Sequence, residues 1–177
     1  MKRTTVSVIR VRRSPLNHSR GMIEAGNLRI PCALGRTGPA HSKQEGDGHS
    51  LIGCFGMIQV FYRGDKGLRP VTRLPLRRIG LSDGWCDAPC DRRYNRRVTL
   101  PYSASHEVMW REDNLYDVVV DLDINRGPTV RGRGSALFLH IARQGYLPTQ
   151  GCVAVARKDM ARLLKLAGPG TKIEICG

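Results

Sequence analysis

The residues with the most chemistry in them lie between Ser135 and Ala156. Ser-Ala-Leu-Phe-Leu-His140 is an apolar run that ends in a histidine, and Gly151-Cys152-Val-Ala-Val-Ala156 opens a second apolar run with a cysteine. A thiol beside an imidazole is the pair that nucleophilic acyl transfer requires: the thiolate attacks, and the imidazole first takes and later returns the proton. Gly151 offers clearance for a substrate carbonyl, and successive N–H groups at Gly151 and Cys152 can form an oxyanion hole. The plainer alternative is that Cys152 is a small buried hydrophobe, as most of the chain's six cysteines are expected to be.

Such a pair works only if neighbouring strands hold it. Leu115-Tyr-Asp-Val-Val-Val-Asp-Leu-Asp123 is the strongest strand signal, and its nearly continuous apolar run places it centrally in a sheet, covered on both faces. Strands are also expected at Val6–Val11, Leu28–Leu34, Gly56–Tyr62 and Thr171–Cys176, with a turn at Ala25-Gly26-Asn27 making an opening hairpin from the first two. Pro70 to Ile79 reads as edge-like or irregular. After Ala156 the period changes to 3.6. Met160, Leu163, Leu164 and Ala167 share one helical face opposite Lys158, Arg162 and Lys165, and Gly168-Pro169 ends the helix. The fold class is therefore mainly β with minor α, with one clear helix before the last strand.

Two polar segments interrupt this pattern. Gly35 to Gly53, with Lys43-Gln-Glu45-Gly-Asp47-Gly48, reads as a solvated surface loop. Residues 80–112 show almost no periodicity and mix aromatic, acidic and basic groups, which marks a lid or substrate-flanking insertion. Trp85, Arg93, Tyr94 and Asn95 are its candidate groove residues, Arg93 meeting a peptide carboxylate; the alternative is that they only staple the insertion down. His106 is read as structural or solvent-facing.

With 177 residues, 41% of them hydrophobic, residues 1–177 are expected to form a single domain around one core. The 29 Lys and Arg against 15 Asp and Glu give a net charge of +14, which calls for a polyanionic partner to be weighed. The excess is spread over doublets such as Arg12-Arg13 and Arg96-Arg97 with no basic helix or aromatic platform, so no specific nucleic-acid partner is expected. No stretch is long and apolar enough for a membrane span or a secretory signal, which points to a cytoplasmic protein, or to a periplasmic or cell-envelope one if the start is truncated. Cys86-Asp-Ala-Pro-Cys90 lacks the second ligand pair of a zinc site, so no metal and no cofactor are expected.

The segment Thr149-Gln150-Gly151-Cys152-Val153, following His140 after a short loop, resembles the signature of the YkuD-type L,D-transpeptidase catalytic domain. Lys43-Gln-Glu-Gly-Asp-Gly48, Gly53-Cys-Phe55 and Gly132-Arg-Gly-Ser-Ala-Leu-Phe-Leu-His140 resemble further family segments, so that the likeness covers roughly 25–177. The resemblance implies mixed, sandwich-like β-sheets and catalysis on peptidoglycan stem peptides or muropeptides. Cys152 would attack the carbonyl joining meso-diaminopimelate to D-alanine, His140 would be base and then acid, and the Ile141 backbone carbonyl would orient the imidazole. The thioester would pass to an amine, giving a cross-link, or to water, as in an L,D-carboxypeptidase of peptidoglycan recycling. Thr149 would lie beside the substrate. Gln150 stands where the family commonly has a second histidine, and its amide can still donate to an oxyanion; Ala154 stands where Asn or Arg is common. A non-catalytic polyanion- or peptidoglycan-binding module is the reading from a different class.

Overall fold

The computed structural model describes residues 5–177. The strands are, in chain order, β1 (Val8–Ser14), β2 (Asn17–Ala25), β3 (Leu28–Ala33), β4 (Pro39–Ala40), β5 (Ser50–Leu51), β6 (Gly53–Tyr62) and β7 (Leu76–Arg78). They continue with β8 (Asp83–Cys86), β9 (Arg96–Thr99), β10 (His106–Val108), β11 (Val118–Leu122), β12 (Phe138–Ile141), β13 (Val153–Val155) and β14 (Lys172–Ile175). The α-helix, α1, spans Arg157–Leu166, before the last strand as expected.

The largest sheet runs β11-β12-β13-β3-β2-β1-β14-β6-β7, and β6 also pairs back onto β11. That pairing closes the sheet into a barrel-like sandwich, which leaves β11 hydrogen-bonded on both sides and buried along most of its length, in line with its apolar run. The interior is aliphatic: Ile9, Ile23, Ile30, Val120, Leu139, Val153 and Ile173 meet there, and α1 adds Met160, Leu163 and Leu164 from the predicted face. Fully burying each such side chain is worth about 1.5–3 kcal/mol, which makes the inside of the barrel the main source of stability.

Two expectations need correction. The opening hairpin is β1 with β2, and the turn at 25–27 joins β2 to β3, so a whole strand was missed. Asn17 to Ala25 shows too few apolar residues to be recognised because three of its inward positions, Ser19, Gly21 and Ala25, are small and Ile23 alone is large; all alternate with exposed or half-buried neighbours. A Cβ on Gly21 would stand 2.5 Å from the Arg12 carbonyl oxygen, so close strand approach has replaced side-chain bulk. The second correction concerns 80–112, which is folded as a three-stranded antiparallel sheet, β10-β8-β9. This small sheet lies over the outer face of the barrel. Trp85 meets Phe138 edge-to-face at 4.9 Å between centroids, and Phe61 at 6.2 Å.

Candidate active site

β12 and β13 are parallel neighbours with Leu139 opposite Val153, His140 opposite Ala154 and Ile141 opposite Val155. Side chains alternate along a strand, so the pairing sorts these residues into two faces. Leu139, Ile141, Val153 and Val155 point into the aliphatic core, while Phe138 and Cys152 belong to a second, outer cluster with Phe61, Trp85, Met109, Leu115 and Tyr116. His140 and Cys152 therefore share the outer face, diagonally across two adjacent strands. Both line one pocket of about 120 Å³, together with Glu107, Arg111, Tyr116, Arg143, Thr149 and Gln150.

His140 is buried, and its Nδ1 lies 2.8 Å from the Ile141 carbonyl oxygen. A carbonyl only accepts, so Nδ1 carries the proton and Nε2 is left with its lone pair. Tyr116 packs against the imidazole at 5.4 Å between centroids and fixes the ring's position from the other side. Burial lowers the His140 pKa to about 4, against a small raising effect from the Ile141 carbonyl. Burial, aided by the negative charge of Glu107, pushes the Cys152 thiol up to about 12. Thiol and imidazole are thus both neutral near pH 7. The Phe138 N–H donates to Cys152 Sγ at 3.3 Å, and the thiol donates to the Ala136 carbonyl at 3.2 Å.

The loop before Cys152 is held from below. Thr149 pairs with Gly35, and the Thr149 hydroxyl donates to the Cys152 carbonyl at 2.6 Å while accepting the Gly151 N–H at 3.1 Å. The Gly151 N–H, proposed as an oxyanion donor, is therefore already occupied. Clearance at Gly151 also has a different cause from the expected one. Its φ is +135°, and a Cβ there would meet the His49 carbonyl oxygen at 2.8 Å, so the missing side chain makes room for the protein's own backbone. Among the described residues, the Cys152 N–H makes no hydrogen bond outside the β12–β13 ladder. Gln150 accepts a bond from Arg36 Nε at 3.0 Å through its oxygen, which leaves the amide NH2 as its free end.

Trp85, Arg93, Tyr94 and Asn95 do not line the pocket. Trp85 is 2% exposed and donates to Asn95 Oδ1 at 3.1 Å; Asn95 in turn bonds the Ile124 and Asn125 carbonyls and the Ala136 N–H. Tyr94 is equally buried and its hydroxyl donates to Glu45. Arg93 is exposed. Trp85, Tyr94 and Asn95 anchor the insertion, which contributes to the pocket instead through Glu107 and Arg111, joined by Leu115 and Tyr116 from the turn before β11. Nothing in the sequence spacing singles out Glu107 and Arg111, because they reach the site from a strand and a turn that the irregular pattern hides, whereas Leu115 and Tyr116 open the expected strand 115–123 and read there as core. The presumed solvated loop is likewise structural in part: Lys43 is 4% exposed and pairs with Asp47.

Residues 17–175 match the family model of the L,D-transpeptidase catalytic domain, YkuD. The chain belongs to that family. The match begins at β2, earlier than the resemblance drawn from motifs, and takes in nearly the whole barrel. The protein is accordingly an enzyme of the L,D-transpeptidase family, whose catalytic domain acts on peptidoglycan stem peptides. A comparison with curated proteins finds no match. Among the described residues no helix is long and apolar enough to cross a membrane.

Proposed function

We propose that this YkuD domain cleaves the bond between meso-diaminopimelate and D-alanine in peptidoglycan stem peptides through a thioester on Cys152. The observation that carries the reading is the shared outer face of β12 and β13, where Cys152 and His140 line one pocket and the Ile141 carbonyl turns the lone pair of His140 Nε2 outward. Because thiol and imidazole are neutral at rest, proton transfer accompanies attack. Cys152 leaves the Ala136 carbonyl, gives its proton to His140 Nε2, and its sulfur bonds to the substrate carbonyl carbon. The Cys152 N–H and the Gln150 amide are the donors available to the developing oxyanion. As the C–N bond breaks, His140 passes the proton to the D-alanine nitrogen.

An acceptor amine or water then attacks the thioester, His140 takes its proton, and the thiol is regenerated. Transfer to an amine makes the enzyme a transpeptidase; transfer to water makes it an L,D-carboxypeptidase. Arg143 replaces Arg93 as the candidate for the D-alanine carboxylate, since it lines the pocket with an exposed guanidinium.

The test is D-alanine release from a tetrapeptide stem. Cys152→Ala and His140→Ala are expected to lower kcat by about a thousandfold or more; a Cys152→Ala protein that still releases D-alanine defeats the mechanism. Mass spectrometry with an added acceptor peptide separates the products, a cross-linked dimer from a tripeptide.

A further inference from the structure

Glu107 is the one acidic side chain lining the pocket that holds Cys152 and His140, and the thioester chemistry above gives it no task. It sits in the middle of β10, opposite Trp85, and its side chain reaches over Tyr116. The Tyr116 hydroxyl donates to Glu107 Oε2 at 2.5 Å, while Oε1 accepts no hydrogen bond from the described residues. The nearest cation, Arg111, is spent elsewhere: its guanidinium meets Asp113 with two bonds, Nε at 2.9 Å and Nη2 at 2.5 Å. Its plane also lies over the Tyr116 ring, 5.0 Å from the centroid. Arg143 stands at the exposed rim.

Glu107 is half-buried, so its free oxygen keeps some access to water, and a cation that displaces that water gains a charge-assisted contact in a partly desolvated site. Burial accordingly raises the pKa of Glu107, against smaller lowering effects from the Tyr116 hydroxyl and the Arg111 charge. Glu107 lines the same small pocket as the nucleophile, so a ligand that fills the pocket can bring the cation that pairs with it. A primary ammonium on a flexible stem suits the space, because it is compact and brings three donors, whereas a planar guanidinium demands a bidentate edge that Tyr116 already half occupies.

We propose that Glu107 is a specificity-determining residue that binds a primary amine of the peptide substrate beside Cys152. This rests on the reading of the pocket as a thioester-forming site. The amine has two possible sources: the side-chain amine of the donor's third residue, or the attacking amine of the acceptor. In either case its positive charge offsets Glu107 and removes a negative charge that disfavours the Cys152 thiolate, so that filling the amine site also eases thiol ionisation.

The experiment compares Glu107→Gln with the parent enzyme, since glutamine keeps the volume and an acceptor for Tyr116. Donor tetrapeptides are used with their side-chain amine free or acetylated, with and without an acceptor peptide. If the donor amine binds Glu107, acetylation lowers the parent's kcat/KM by about tenfold or more, and Glu107→Gln suffers a similar loss, mainly in KM, on the free amine alone. If the acceptor amine binds there, D-alanine release is unchanged and the ratio of dimer to tripeptide falls by about tenfold. Equal losses on free and acetylated donors, or no change in any readout, overturn the proposal.

Calorimetric binding of the same two donors to Cys152→Ala, with and without Glu107→Gln, gives the result independently of turnover. A preference for the free amine that disappears with Glu107→Gln supports the donor site. A parent enzyme that never forms a thioester defeats the catalytic reading and leaves that binding result standing.

Discussion

The two faces of β12 and β13 are built from different chemistry. Inward, Leu139, Ile141, Val153 and Val155 join a core whose buried members are aliphatic apart from methionines and one cysteine. Outward, one residue away along the same strands, Phe138, His140 and Cys152 meet Trp85, Phe61 and Tyr116 beneath the inserted sheet. The inner face needs volume and nothing else, so any well-packed set of branched side chains serves. The outer face must hold a thiol, an imidazole and a carboxylate in fixed directions. It does so with edge-to-face rings and with hydrogen bonds donated to backbone carbonyls. Stability and reactivity are separated by the two-residue period of a strand.

Substitution on the inner face next to the base gives the largest expected change. Leu139→Ala removes a side chain that is 0% exposed and is expected to cost about 2–5 kcal/mol of unfolding free energy. Activity per folded molecule should stay within about twofold, since the methyl groups lost face away from the pocket. Urea denaturation and a titration of active thiol measure the two quantities. A large loss of activity at unchanged stability would show that the faces are coupled.

Both faces carry a pH dependence, because Cys32 in the inner core and His140 and Cys152 in the outer one are buried in their neutral forms. With its pKa lowered from 6.5 to about 4, His140 contributes stability that is present above pH 6.5 and lost as pH falls towards 4. The difference is on the order of 3 kcal/mol. Cys152, raised from 9.0 to about 12, contributes stability that is lost as pH rises from 9 towards 12. His140→Leu is expected to flatten the acid side of the stability profile and Cys152→Ala to remove part of the alkaline limb, the rest belonging to Cys32, whose thiol burial also raises to about 12. Melting curves across pH 4–11 would show each; an unchanged acid limb in His140→Leu would mean that the imidazole is hydrated or charged.

Asn95 tests whether the outer face depends on its anchors. Its amide accepts from Trp85 Nε1 and the Ala136 N–H and donates to the carbonyls of Ile124 and Asn125, at 3.0–3.2 Å. Asn95→Ala leaves those groups buried and unpaired, at a cost of about 2 kcal/mol. Hydrogen exchange should then quicken in β8 and β9 while β1, β2 and β14 keep their protection. Uniform quickening would mean that the insertion and the barrel unfold as one unit.

The same division decides what could be read from the residues alone. The inner face was legible: period-two and period-3.6 apolar patterns located β11, β12, β13 and α1, because burial of aliphatic side chains leaves that imprint directly. His140, Cys152 and the orienting carbonyl of Ile141 were legible through the family motif. The outer cover was not, since Trp85, Tyr94 and Asn95 look like a polar groove when listed in order and become a buried staple only once β8, β9 and β10 are paired. Glu107 and Tyr116 approach from different elements, and no spacing joins them. β2 was hidden by small inward residues.

The smallest effect concerns two arginines that sequence could not rank. Arg143 lines the pocket and Arg93 does not, although both are exposed. Arg143→Ala is expected to lower kcat/KM on a stem peptide with a free C-terminal carboxylate by about tenfold, one charge-assisted contact's worth. A C-terminally amidated peptide should show little change. Arg93→Ala should leave both rates within about twofold, because a solvated charge outside the pocket is screened over roughly 10 Å. If the two variants lose activity equally, general attraction by the basic surface, and not a contact at the rim, draws the peptide carboxylate in.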